Sequence, residues 1–226
     1  MRKRYGSSSK VKAMTTDQLI SLLVADLKPV DRRRILRSVV IALAIGTAAA
    51  FGVMLLIFGP RPEMLDARNL DFLLIKLLFA FGVVVTAAIF LPRLARPGAK
   101  MRSAPVLIFI PFVAIAATAA VALGSAHFSA WTGMIVEKDS LTCLPSILLL
   151  AVLPFTALIW ALRSGAPTDQ THAGEIAGLV AGGLGALACT FPCVDGSLPS
   201  IALWYGLPIG ICATFGTKLG PTLLRW

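Results

Sequence analysis

Six apolar runs, each near the ~20 residues a helix needs to cross a bilayer, alternate with short polar connections along most of the chain. They lie at 39–58, 72–91, 104–123, 141–162, 174–193 and 200–219. The pattern predicts an all-α protein, an integral membrane bundle of six transmembrane helices, as one domain over 39–226. The fifth run is the weakest. Gly178, Gly182, Gly183 and Gly185 fill it with small residues, and this suits close helix packing better than contact with lipid. Pro154 and Pro208 mark places where the fourth and sixth helices can kink.

Ahead of the first run, residues 1–38 form an N-terminal arm, and its stretch Met14–Val30 has a different period. MTTDQLISLLVADLKPV reads as one short amphipathic helix over 15–28, with Thr15 and Gln18 in capping-box spacing and Pro29 as the stop. Leu19, Ile20, Leu23, Val24 and Leu27 share one face at 100° per residue, Leu22 borders it, and Asp26 projects between Leu19 and Leu22. A helix this short is marginal alone in water and needs a surface to lie on. A lipid surface would call for Lys and Arg on the polar face. The helix has Asp17, Gln18, Ser21 and Asp26 there, with one Lys28 at its end, which favours a protein partner. Residues 1–13 are basic and without periodicity, an arm or an extension ahead of Met14.

Composition agrees with the pattern: 57% of residues are apolar and 14% charged, against about 45–50% and 25% in soluble domains. The net charge of +10 would suit nucleic acid, but its placement is topological. Seventeen of the 21 Lys and Arg flank the runs on one side, ten before the first run, four between Arg93 and Arg102, then Arg163, Lys218 and Arg225. The positive-inside rule puts both termini in the cytoplasm and removes the need for direct nucleic-acid contact. Arg32–Arg37 followed by Ala48–Ala50 resembles a cleavable leader, but the apolar run continues through Phe58, so an uncleaved span is expected. The outer loop at 124–140 has room for a turn of interfacial helix around Phe128, Trp131, Met134 and Ile135.

The chemistry-bearing residues gather on the outer side. Cys143 opens the fourth span and Cys193 closes the fifth, so both thiols sit at one depth. Three readings remain open for the pair: a disulfide, a shared soft metal ion, or plain packing of two small side chains. Cys189, one turn deeper, is a candidate third thiol, and Cys212 reads as packing. Lys76 is the single basic residue well inside a span, Lys218 standing at the very end of the sixth. Snorkelling to the headgroups is its favoured reading; turned inward, its charge would stabilise a thiolate or pair with Asp195. Glu137, Asp139 and His127 read as solvated loop groups. No HExxH, P-loop or CxxC motif is present, so no resident cofactor is expected beyond a transient soft ion at Cys143 and Cys193.

Several blocks together resemble one family. DQLISLLVADLKPV, LLIKLLFAF, LPRLARPG, TCLPSILLLAVLP, ALRSGAPT, CVDGSLPSIALWYGLPIG and KLGPTLLRW are similar to the NrsF-type anti-sigma factors, six-span inner-membrane regulators of extracytoplasmic-function sigma factors. The resemblance covers the chain from Met14. It implies a bacterial inner-membrane negative regulator, not an enzyme, that holds a sigma factor through 15–30 until envelope, metal or oxidative stress is sensed. It places the family's two cysteines at Cys143 and Cys193, in TCLPSI and PCVDGS. Cys189, Cys212 and residues 1–13 fall outside its pattern. A membrane thiol-redox enzyme is the alternative, and a small transporter a more distant one.

Overall fold

The glycine-rich fifth run does form a helix, and it forms at the centre of the protein. A computed structural model describes residues 32–59, 70–94, 104–135, 140–165, 167–193 and 196–225. The elements are α1 (Arg32–Phe58), α2 (Leu70–Ala88) with its short continuation α3 (Leu91–Leu94), α4 (Ala104–Ser125), a 3-10 turn (Phe128–Ala130) leading into α5 (Trp131–Ile135), α6 (Ser140–Arg163), α7 (Gln170–Cys189) and α8 (Leu198–Leu223). Every element among the described residues is helical. Six of the helices are long and apolar enough to cross a membrane. The proposed partner-binding helix, with Leu19, Ile20, Leu22, Leu23, Asp26 and Leu27, lies outside the described residues, as does Asp195.

Glycine costs a helix interior roughly 1 kcal/mol relative to alanine, so α7 depends on its neighbours. Its apolar window is 83% buried, against 17–39% for the other five long helices. Each glycine admits a different neighbour. A Cβ on Gly174 or Gly178 would strike the α8 backbone at Gly216 and Cys212, and one on Gly216 would strike Gly174 in return. A Cβ on Gly185 would meet the Ile147 carbonyl oxygen of α6 at 2.7 Å, and one on Gly183 would meet Val84 of α2 at 2.7 Å. The Gly178–Gly182 pair legible in the sequence is thus the middle of a longer seam, from Gly220 beside Gln170 to Ile209 beside Gly182.

The ends of α7 differ from the 174–193 expected from hydropathy. It starts earlier because Asp169 caps it, accepting from the His172 backbone N–H at 3.1 Å with the ring Nδ1 2.6 Å from its other oxygen. Burial pushes the Asp169 carboxyl up, but these His172 contacts outweigh it and hold the carboxyl below its ordinary value. α7 stops at Cys189 because Pro192 has no N–H to continue it. The Thr190 N–H reaches Ala186 O at 3.0 Å and the Thr190 hydroxyl reaches the same oxygen at 2.9 Å. Cys193 therefore sits in a turn beyond the helix, its N–H directed at Cys189 O at 3.4 Å.

The remaining helices wrap this centre. α4 docks on α2 through the edge-to-face pair Phe79 and Phe112, 5.5 Å between ring centroids. α1 fits Gly46 against Pro154 of α6 and Phe51 against Phe191, and ends at Gly59 in the left-handed region, φ 67°. At the end bearing the C-terminus, Arg163 Nε donates to Leu223 O at 2.6 Å and Gln170 Nε2 to Leu224 O at 3.1 Å. At the opposite end the helical turn expected near Trp131 is present. Trp204 Nε1 donates to Ile135 O at 2.8 Å, and the Ser197 hydroxyl donates to Met134 O. Large apolar side chains such as Leu56, Leu78, Val106, Val121 and Trp160 face outward, a surface compatible with hydrocarbon around it.

This seam is testable by adding volume. Gly178→Ile should destabilise the purified protein by about 1–3 kcal/mol through overpacking, read as a lower midpoint in denaturant titration. Gly206, beside open space on α8, should accept alanine with stability unchanged or raised. Equal behaviour of the two variants would contradict the packing.

Candidate functional site: a thiol cluster beside a buried lysine

Four elements converge at the end of the bundle where α2, α6 and α8 begin and α7 ends. Cys143 lies in the first turn of α6, two residues ahead of Pro145, which stands inside the helix. Cys189 is the last residue of α7, and Cys193 follows in the turn stopped by Pro192. Their side chains meet as free thiols. Cys143 Sγ is 2.8 Å from Cys193 Sγ, and Cys189 Sγ is 3.6 Å from Cys193 Sγ. All three sulfurs lie within 4.8 Å of one another. Cys143 and Cys189 are buried and Cys193 is partly open, so a reagent reaches the cluster at Cys193.

Lys76 adjoins the cluster. It points inward, only 2% exposed, where snorkelling was the favoured expectation. Burying an ammonium requires partners, and the fold provides them. Nζ donates to the Cys193 carbonyl oxygen at 2.7 Å and lies 5.7 Å from the centroid of the Tyr205 ring. Gly196 leaves room for the chain end: a Cβ there would sit 2.9 Å from Lys76 Cε and 3.0 Å from Nζ. Tyr205 is buried beneath. Its hydroxyl makes no well-formed hydrogen bond among the described residues, with Thr190 as its polar neighbour.

The arrangement brings Cys143, Cys189, Cys193 and Lys76 together and leaves others out. Cys212 packs on Gly178 and Gly182 within the α7–α8 seam. His127 precedes the 3-10 turn and joins no cluster of metal-ligating side chains among the described residues. Glu137 and Asp139 lie outside the described residues. Sequence reasoning missed Tyr205 and Gly196 as neighbours of Lys76. The CVDGS and LWY blocks that carry them showed no signal linking them to a residue more than a hundred positions earlier. Chemically, three adjacent thiols can lose electrons to form a disulfide or lose protons to bind a soft cation.

Residues 23–226 match the family NrsF, described as "Negative regulator of sigma F". The chain is 30% identical over 213 residues to the "Probable anti-sigma-F factor NrsF" of Azospira oryzae, covering 94% of this chain and 100% of that protein. It is also 30% identical over 219 residues to the "Anti-sigma-F factor NrsF" of Caulobacter vibrioides, with the same coverage. No solved structure matches it.

A mild peroxide should convert Cys143 and Cys193 into an intramolecular disulfide, two thiols giving up two electrons and two protons as the peroxide becomes water. Peptide mass spectrometry should find that bridge predominant, with Cys212 still open to alkylation in denaturant. A predominant bridge through Cys212 would contradict the geometry.

Proposed function

The chain belongs to the NrsF family of negative regulators of sigma F, and from that premise we propose that it is a membrane anti-sigma factor. It sits in a bacterial inner membrane with both termini in the cytoplasm. Residues 15–28 bind a sigma factor of the extracytoplasmic-function class and keep it from the transcription machinery. The observation that carries this reading is similarity along nearly the whole chain to two relatives named as anti-sigma-F factors. Those names also favour a regulator over a thiol-redox enzyme.

The sequence supports the division of labour. The stretch that combines an apolar face with water-compatible residues is 15–28, and a groove on a folded partner is what such a face fits. Leu19, Ile20, Leu23 and Leu27 fill the groove, with Leu22 at its border and Asp26 meeting a basic residue there. The thiol cluster takes the outer side under the positive-inside rule, where an oxidising compartment bathes Cys193. Envelope, oxidative or metal stress engages Cys143 and Cys193 as a disulfide or through a bridging soft ion. Either bond ties the start of α6 to the end of α7. Packed helices respond to such a constraint by moving between discrete arrangements. α7 is locked to α8 along the glycine seam, so the shift reaches the far end, where Arg163 and Gln170 hold the last carbonyls of α8. Lys76 holds the turn carrying Cys193 through its carbonyl oxygen. The sigma factor is then released.

Two experiments test this. Reporter fusions after Leu70 and Gly133 should register outside the cell, and those after Lys100 and Thr168 inside; a reversed pattern overturns the orientation. In pull-downs from bacterial membranes, the intact chain should retain a sigma factor. Leu23→Asp should lose it, at a cost of about 2 kcal/mol or more from an unpaired carboxylate in the groove. A chain with both Cys143→Ser and Cys193→Ser should retain it and fail to release it under thiol-reactive stress. Release by that double variant overturns thiol sensing and leaves sigma binding intact.

A further inference from the structure

The pair of thiols assigned above leaves Cys189 without a role, and a disulfide there gives no reason for Lys76 to bring a charge to the same cluster. Both are buried at the point where Cys193 meets Cys143. A two-thiol disulfide needs neither a third sulfur nor an ammonium beside it, and burying an ammonium in an apolar bundle is unfavourable.

We propose that Cys143, Cys189 and Cys193 form a three-thiolate site for a soft divalent cation of the zinc or cadmium type, with Lys76 as its positioning residue. This deepens the reading of the thiols as a sensor and rests on the same cluster. The geometry supports it in three ways. First, the sulfurs already converge, with separations of 2.8 and 3.6 Å to Cys193 and none above 4.8 Å. Metal–sulfur bonds of about 2.3 Å in tetrahedral geometry put ligand sulfurs roughly 3.8 Å apart. Cys143 and Cys193 need to part by about 1 Å, and the Cys193 turn, outside the helix, can move that far. Second, the ligands come in the arrangement a chelate needs. Cys189 and Cys193 are four residues apart on one hydrogen-bonded turn, and Cys143 comes from the facing helix. Third, the site has a built interior and an open side. Cys143 and Cys189 are at most 5% exposed, whereas Cys193 is partly exposed. Three ligands with an open fourth position make an ion exchangeable, as a sensor requires, where four would close the site.

Binding balances without redox chemistry. Three S–H bonds break, three metal–sulfur bonds form, and three protons leave to water on the open side. The doubly charged cation and three thiolates make a complex with one net negative charge. Lys76 stands next to it as a fixed positive charge. Its Nζ also holds the Cys193 carbonyl oxygen at 2.7 Å, which orients the turn that supplies the least buried ligand. That is the role outer partners play at metal centres. Lys76 touches no metal and acts through Cys193.

The test uses reduced, purified full-length protein in detergent and Cd(II) alone. Ultraviolet thiolate-to-metal charge transfer should report one ion per chain, and X-ray absorption should count three sulfur neighbours. Cys189→Ser should reduce the count to two and weaken binding about tenfold or more. Lys76→Met should keep three sulfurs but weaken binding by about tenfold, with Lys76→Arg recovering part of it. Cys212→Ser should change nothing. A wild-type count of two sulfurs, or unchanged affinity in Cys189→Ser, overturns the proposal. The wild-type sulfur count decides the matter even if a variant fails to fold. No sigma factor enters the assay, so its failure leaves the anti-sigma reading untouched, and a failed sigma pull-down leaves the ion site standing.

Discussion

The contact on which the rest of the structure depends is the close approach of α7 to α8 across facing glycines. A single added methyl at Gly174, Gly178 or Gly216 would drive into backbone. Helices this near gain van der Waals contact along their whole length, the main attraction left where the surroundings are as apolar as the side chains. The same helix turns Gly185 to α6 and Gly183 to α2. Low helix propensity is thereby offset by packing on three sides, and α7 becomes the axis about which the other helices are set.

That axis also builds the thiol cluster. α7 delivers Cys189 at its last residue and Cys193 in the turn that Pro192 forces. α6, held against Gly185, brings Cys143 alongside, and α2, held against Gly183, brings in Lys76. A buried ammonium tolerates few positions, and the Cys193 carbonyl and the Tyr205 ring constrain its position. The cluster therefore joins three helices. The proposed release of a partner would take its physical route through that shared packing.

The far end of the bundle has its own ties. Arg163 and Gln170, on either side of the connection between α6 and α7, both donate to the terminal carbonyls of α8. These carbonyls would otherwise lack helical partners. Movement of α6 relative to α7 at the thiol end thus meets a hydrogen-bonded clamp at the other, and the glycine seam joins the two.

Much of this was legible in the residues themselves. Apolar run length fixed the number of long helices, because a helix satisfies its own backbone wherever water is absent. The glycine content of the fifth run marked it as a packing helix, and the positions of Cys143 and Cys193 at the ends of neighbouring, antiparallel runs put them at one level. The blocks from DQLISLL to GPTLLRW pointed to the family. Tertiary structure decided the rest. Hydropathy cannot locate a helix end set by an Asp169 cap or a proline stop, so α7 was placed about four residues late. It also cannot say which way Lys76 points, since snorkelling and burial differ only in whether a distant carbonyl and ring stand ready to receive the ammonium. Cys189 was a candidate third thiol by its spacing, and became a full neighbour of the pair only through the turn that folds Cys193 back over it. A linear pattern records what each segment tolerates around it, but contacts between side chains far apart in sequence exist only once helix axes, rotations and depths are set together by packing.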